Sequence, residues 1–495
     1  MAIFPPRKTQ GDTHAMTSKT QLVKRHITDK IHWQVYHPGE RIPSVRGLAS
    51  QLEVSPYTVS QAYDELVAQG VIYAKVGAGY FVSLPQAVSQ AVAMPNLGDN
   101  VLDTSWLLSH LFNDVPKQRA SGSGLLPKDW LMPEASLRLA SKKATKSLDY
   151  VYGYGQLQGY QGLREQFARQ LADINIHAHA SSMLTTAGVS AGIEMIVRAL
   201  CQVGDSVLID DPSWFWIIGC LQNLGMNVVG VKRTPEGVDL AQLEQLLEAY
   251  HPKLYITNSV LHNPTSYSLT PPNAVAVLSL MQKHDCYVVE DDIYRDFYDA
   301  SSNRQLLRYA TLCGFGSYNS QANQRVFYLG GVSKILGGNW RVGILCCPEK
   351  HLEAVLRQKM LINMTCPEIT ERIICHVWQD PAYAKHISSL QQRIAKAHHR
   401  LIKQLEIMGL APHPQCQPSL FIWVDVEVNT AELALAAHQD GWLVAPSHLF
   451  SPTGTHGTHI RLNVPTTSSE FLGWLGTYLK KHAQQTNKSV LIKEK

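Results

Sequence analysis

Cysteine is sparse and unpaired in this 495-residue chain: nine residues, no CxxC spacing, and only Cys346 and Cys347 adjacent. That pattern suits neither a disulfide framework nor a zinc site, and it points to a reducing compartment. Long apolar runs are missing as well. None approaches the roughly eighteen residues that cross a bilayer, so no membrane partner is expected. The opening MAIFPPRKTQGD lacks the apolar stretch of a secretory signal, and a cytoplasmic protein is the expectation. The charge excess is small, +4 overall, too little to announce a nucleic-acid partner by itself. With 45% apolar and 17% charged residues, the composition excludes a disordered chain.

The pattern along the chain divides it. Residues 1–18 read as a flexible tail. Residues 19–83 read as a small helical domain ending in a hairpin. From residue 84 to 125 the chain is rich in Ser, Ala, Gln, Asn and Gly, with Pro85, Pro95 and Pro116, and reads as a linker. One helical patch, TSWLLSHLF, interrupts it as a docking element. From 126 to 482, short β-branched runs (SVLID, NVVGV, KLYIT, YVVED, RVFYL) alternate with helix-like stretches, which predicts an α/β domain with a largely parallel sheet. LFIWVDV and HIRLNV predict strands of a smaller α+β lobe. Residues 483–495 read as a charged tail.

In the front segment, RIPSVRGLASQLEVSPYTVSQAYDELVAQG predicts two short helices. Ser44 caps the first and Ser55 the second, with Pro56 at the first helical position. Val59, Ala62, Leu66 and Val67 are the expected buried face of the second helix. Tyr57, Thr58, Ser60 and Gln61 then project outward, as a helix lying in the major groove requires. Ser44 and Arg46 stand at the start of the preceding helix, where Arg46 could reach a phosphate. The turn at Gly77 makes a wing that carries Lys75. A helical module that merely packs or dimerises fits the same pattern.

The second constellation centres on YLGGVSKILGGNWRVG, residues 328–343, where one lysine, Lys334, is ringed by glycines. A lysine condenses with an aldehyde when its amine can lose a proton, which burial beside another cation encourages. Pyridoxal phosphate supplies such an aldehyde, and it demands partners that the chain offers. Asp291, ending an apolar strand, suits the ring nitrogen. Asn263 and Tyr294 suit the ring oxygen, and Trp214 offers a face for stacking. Gly188, Val189 and Ser190 open a helix whose amides suit a phosphate, with Arg341 adding a charge. Arg461 could fork onto a ligand carboxylate. Taken singly, each has a bland reading as a turn, a cap, a core aromatic or a surface charge. His456 and His459 have a spacing that metals use, but with no third ligand no metal site is expected.

PGERIPSVRGLASQLEVSPYTVSQAYDELVAQGVIYAKVGAGYFV resembles the winged helix of GntR-family regulators along its whole length. The ordered set Gly188–Ser190, Trp214, Asn263-Pro264-Thr265, Asp291 and Tyr294, Ser333-Lys334, Arg341 and Arg461 resembles the fold-type I aminotransferases over about residues 126–482. Together they resemble the MocR-type regulators of the GntR family, a winged helix-turn-helix fused to an aminotransferase-like domain. The resemblance implies that Lys334 is the aldehyde-holding lysine, with Asp291 and Tyr294 as its catalytic companions. It implies that Tyr154 reaches a phosphate in a neighbouring subunit, hence a homodimer, often head-to-tail. Double-stranded operator DNA is the implied partner, and a small amino compound, an amino acid or pyridoxal phosphate itself the implied effector.

Departures stand at Pro56 and Ala78, where the family often has basic residues, and at Gly331, where it often has a serine. NPTG becomes NPTS at Ser266, and a glycine pair becomes Pro418-Ser419. Two other readings stay open: a working aminotransferase with a DNA-binding head, and a DNA-binding protein on an inert scaffold.

Overall fold

The chain folds as two units, residues 1–96 and 97–495, seen here in a computed structural model. The structure describes residues 18–32, 35–75, 77–83, 104–112, 119–146, 148–298, 307–313, 325–455 and 457–493, with side chains up to 484. Residues 1–17, most of the expected linker and His456 lie outside them.

The first unit holds α1 (Lys19–His32), α2 (Val45–Gln51), α3 (Pro56–Ala68), and an antiparallel hairpin of β1 (Ile72–Lys75) and β2 (Gly79–Val82). Both serine caps form: Ser44 Oγ accepts from Gly47 N at 3.2 Å and Ser55 Oγ from Thr58 N at 3.1 Å. Val23, Ile27, Leu48, Val59, Ala62, Tyr63 and Leu66 make the core with Ile72 and Val82 from the hairpin. One expectation is corrected. Val67 is 37% exposed, and Tyr63 takes its place in the buried stripe. Residues 59, 62, 63 and 66 satisfy the three- and four-residue steps, leaving Val67 on the flank. The Tyr63 hydroxyl donates to Pro43 O at 2.8 Å, which satisfies its buried polar end.

In the second unit, α4 (Thr104–Phe112) buries Trp106 and Leu107 against Phe215, Leu443 and Phe450. After it come α5 (Glu134–Ala144), α6 (Gln161–Ala172) and an eight-stranded sheet. Its strands are β3 (Met183–Thr186), β4 (Ser206–Asp211), β5 (Asn227–Thr234), β6 (Gly237–Val238), β7 (Leu254–Thr257), β8 (Tyr287–Asp291), β9 (Val326–Gly331) and β10 (Gly343–Cys346), in spatial order β3-β10-β9-β8-β7-β4-β5-β6. Strands β4, β5, β7, β8 and β9 run parallel, while β10 is antiparallel to both β3 and β9.

Alternate side chains feed two cores. Leu208, Tyr255, Val288 and Tyr328 enter one face, while Val207, Ile209, Ile256, Val289 and Phe327 enter the other. Burial on both faces explains why these strands read as continuous apolar runs. The smaller lobe pairs β11 (Phe421–Asp425), β12 (Ala445–Pro446) and β13 (His459–Asn463) in the order β11-β13-β12. Helices Pro381–Ile407, Thr430–Gln439 and Ser469–Lys493 cover it. The last of these runs on through residues that the sequence reads as a tail.

The parallel strands set the site. Gly188 follows β3, Asn263 follows β7, Asp291 ends β8 and Lys334 follows β9, so all four lie at one edge, where the strands' carboxyl ends open a crevice.

Candidate functional site

Lys334 is half-buried, and its Nζ donates to Gly124 O at 2.7 Å and lies 5.6 Å from the Tyr294 ring centre. Burial, then the positive charge of Arg461, push the amine down to about 8, with Asp291 opposing. A lysine that readily gives up its proton near neutrality is what reaction with an aldehyde requires.

Asp291 is buried at the end of β8. Its Oδ1 accepts from Ile293 N at 3.0 Å, and Asn258 Nδ2 fixes its backbone carbonyl at 2.7 Å. Burial pushes the carboxyl up to about 7, so a cation placed beside it would recover a large desolvation cost.

Asn263 sits in a loop with a cis bond to Pro264. Its Nδ2 donates to the Tyr294 hydroxyl at 3.1 Å, and its Oδ1 accepts from Arg461 Nη1 at 3.0 Å. Tyr294 therefore accepts one hydrogen bond and keeps its own proton for another acceptor. Beneath this loop, Asp210 accepts from Tyr255 and Thr257 at 2.6 Å each, and its Oδ2 lies 3.2 Å from His262 Nε2. Burial alone would push Asp210 up; Arg233 and His262 outweigh it and hold the carboxyl below its usual range.

Gly188, expected at a phosphate cradle, precedes α7 (Val189–Leu200), and its own amide donates to Thr186 O at 2.8 Å. Gly188 has φ +87°, a conformation that favours glycine, and a Cβ there would meet Arg341 Nη2 at 2.7 Å. Arg341 Nη2 donates to Ala187 O at 2.9 Å and to Ser190 Oγ at 3.0 Å, which places its charge over the start of a twelve-residue helix. Trp214 caps the following helix, Phe215–Asn223, and stacks on Trp216 with centroids 5.1 Å apart.

Arg461, only 1% exposed, is pressed among Phe421, Phe450 and Phe215. Its Nη2 donates to Gly122 O at 2.7 Å, while its Nε is buried without a partner among the described residues. Tyr154 stands elsewhere. It is 80% exposed and lines a cavity of about 330 Å³ with Tyr150, Cys366, Pro367 and Glu368, and Lys334 and Arg341 are not among its walls.

In the first unit, Tyr57 is 79% exposed, Gln61, Arg46, Lys75 and Gly77 are exposed, and Ser60 is half-buried. Ser44 is engaged as a cap. Thr58 is half-buried, and its hydroxyl lies 2.7 Å from that of Ser55. The sequence pattern missed Arg41, which is exposed, pairs with Phe81 across the wing and brings Nε to 3.2 Å from where a Cβ of Gly79 would stand. It also missed Gly122 and Gly124, which fall in the stretch read as linker.

An α/β sheet of this order, with a low-pKa lysine after β9 and a winged helix in the same chain, defines a class of protein: a DNA-binding head joined to a fold-type I transferase domain. Residues 128–472 match the family described as aminotransferase class I and II, and residues 19–82 match bacterial regulatory proteins, gntR family. The chain belongs to the aminotransferase class I and II family and carries a gntR-family head, the MocR-type architecture.

It is 23% identical to the HTH-type transcriptional regulator YdfD of Bacillus subtilis over 92% of this chain and 94% of that one. It is 22% identical to the HTH-type transcriptional regulator NorG of Staphylococcus aureus over 89% of this chain and all of that one. Among solved structures it is similar to LysN, the alpha-aminoadipate aminotransferase of Thermus thermophilus. That structure holds N-(5'-phosphopyridoxyl)-L-leucine and matches with TM-score 0.66 and 19% identity, over 76% of this chain and 94% of that one. An archaeal alanine:glyoxylate aminotransferase gives TM-score 0.67 at 21% identity, over 76% and 95%.

Pyridoxal 5'-phosphate is the cofactor of this family, and the residues present fit it. A buried carboxyl, a proton-poor amine, an Asn–Tyr donor pair and an arginine over a helix start are the donor set it needs.

Proposed function

We propose that the protein is a pyridoxal-phosphate-dependent transcription regulator. Its winged helices hold a double-stranded operator, and a small amino compound, an amino acid or pyridoxal phosphate itself is sensed at Lys334. The observation that carries this reading is the lysine's amine, pushed down to about 8 beside Asp291 and Arg461, in a chain that also carries a winged helix.

Pyridoxal phosphate, when bound, supplies an aldehyde that condenses with amines and a ring that withdraws electrons from the attached carbon. Each of the chain's residues has a part toward it. Lys334 Nζ holds the aldehyde, and the Asp291 carboxylate holds a proton on the ring nitrogen. Tyr294 and Asn263 orient the ring oxygen, and Trp214 covers a ring face. The amides of Gly188, Val189 and Ser190 bind the phosphate together with Arg341, and Arg461 receives a ligand carboxylate.

A homodimer is part of the reading, with Tyr154 assigned to the phosphate site of the facing subunit and a head-to-tail arrangement implied by resemblance. Tyr152, Tyr154, Leu361 and Met364 are exposed apolar side chains that such a partner would cover. On the DNA, Tyr57, Ser60 and Gln61 are assigned to base edges, and Arg46, Arg41 and Lys75 to phosphates, with Ser44 and Thr58 holding the helix starts and Gly77 the wing turn. A cytoplasmic location is part of the reading, since that is where a bacterial operator is met.

The test uses a duplex selected from a randomised pool. Its affinity for wild type should change when pyridoxal phosphate and an amino acid are added, and Lys334→Ala should abolish the change. Identical affinities under every condition would remove the sensing role. The full residue set also supports a second reading, an aminotransferase with a DNA-binding head, which sustained turnover of an amino donor with a keto acid would favour.

A further inference from the structure

The segment 119–125 does not hang free of the ligand site. It lies in it. Gly122 O takes Arg461 Nη2 at 2.7 Å and Gly124 O takes Lys334 Nζ at 2.7 Å. Those are the two cations assigned to a ligand carboxylate and to the cofactor's aldehyde.

The strap is held from both sides. Gly122 N donates to Leu443 O at 2.8 Å, Leu443 N to Arg119 O at 2.9 Å and Asn463 N to Ser121 O at 2.7 Å, and Asn463 Nδ2 reaches Ser123 Oγ at 2.8 Å. Position 122 has room for nothing larger than glycine, because a Cβ would meet Ala445 N at 2.5 Å and the Val444 carbonyl carbon at 2.7 Å.

We propose that Gly122 and Gly124 make residues 121–124 an internal stand-in for the ligand, one that an α-amino carboxylate and the cofactor must displace. Arg461 supplies the reason that displacement is favourable. One carbonyl oxygen satisfies Nη2 and leaves Nε buried and, among the described residues, unpaired. A carboxylate presents two charged oxygens to the same planar fork and can serve both nitrogens. At the other end, Lys334 cannot hold an aldehyde and still donate to Gly124. In sequence the strap follows α4, which is docked on the same unit. This inference rests on the proposed function, since it assumes that the site takes pyridoxal phosphate and an amino carboxylate.

Hydrogen exchange on the full chain tests it in three states: without cofactor, with pyridoxal phosphate, and with pyridoxal phosphate plus L-alanine or the unreactive carboxylate propionate. The amides of Gly122, Leu443 and Asn463 should exchange on the order of tenfold faster in the fully loaded state, a loosening worth about 1.4 kcal/mol. Equal or slower exchange, with the pyridoxal absorption band formed and the alanine response saturated, overturns the strap and leaves the proposed function standing. Absence of any absorption band overturns both. Gly122→Ala, in which the strap cannot seat, should bind propionate several-fold more tightly than wild type. Equal affinity in a folded variant counts against the proposal, and if that variant does not fold, the exchange data on wild type decide.

Discussion

Ser266 and Ser419, 153 positions apart, share a hydrogen bond, and Ser266 Oγ also donates to Phe421 O at 2.8 Å. Both serines stand where the resemblance leads one to expect glycine, so two departures that look independent in sequence are one contact in space. That contact ties the Asn263 loop to the first strand of the smaller lobe. Ser266 has φ +60°, where glycine is at ease and serine is not. Ser266→Ala should therefore lose the buried bonds and keep the strain, at a cost of about 1–3 kcal/mol. Ser266→Gly should cost less, because it relieves the backbone. Thermal unfolding of the two variants checks the order: equal midpoints would mean that the backbone strain contributes nothing, and a Ser266→Ala midpoint equal to wild type that the bonds do not.

The Lys334 amine at about 8 fixes a pH profile. Only the neutral amine attacks an aldehyde, so growth of the pyridoxal absorption band should speed up as pH rises through about 8 and level off above it. Arg461 is one cause of that low value, after burial. Arg461→Gln should shift the midpoint upward, measured by stopped-flow absorbance from pH 6 to 10. A midpoint that stays put would show that Arg461 does not set the amine.

Asp291 sets a stability profile of the opposite kind. Burial raises its carboxyl from 3.8 to about 7, so between those values the folded protein binds more protons than the unfolded one. Stability without cofactor should then fall as pH rises from about 4 to 7. Glu290, also raised to about 7 by burial, acts in the same direction. Asp291→Asn should flatten the fall without abolishing it, as read by urea unfolding across that range. An unchanged slope would place the whole effect on other groups.

On the DNA side, Arg46→Ala should weaken binding to all duplexes alike and lower the slope of log affinity against log salt by about 1. Gln61→Ala should instead flatten discrimination at one base position, at a cost of about 1–3 kcal/mol. Fluorescence anisotropy over a salt series separates the two. A salt slope unchanged in Arg46→Ala would move the phosphate contact elsewhere, with Arg41 the next candidate.

Much of this was legible in the chain itself. Runs such as YVVED and RVFYL announce buried strands because both their faces are covered, and serine caps with a following proline announce helix starts. Lys334, Asp291 and Asn263 each have a bland reading singly, and could be picked out because their order along the chain resembles that of the fold-type I aminotransferases. Other features left no local trace. Gly343–Cys346 reads as no more than a short apolar stretch, since four residues carry little period. Gly122 and Gly124 sit among small polar residues, and their part is played by backbone carbonyls, which have no letter in a sequence. Val67 is misplaced because a stripe that holds for about two turns need not reach the helix end. The Asp210–His262 contact joins positions brought together only by the sheet.

The bond from Asn463 N to Ser121 O closes the second unit end to end. A ribosome must therefore release nearly the whole polypeptide before the pocket can form, whereas the residues that pack the winged helix are all made by Val82. During synthesis the DNA-binding head precedes the aminotransferase-like domain. A transcript broken off before the smaller lobe is encoded would leave a head that still folds, without the pocket.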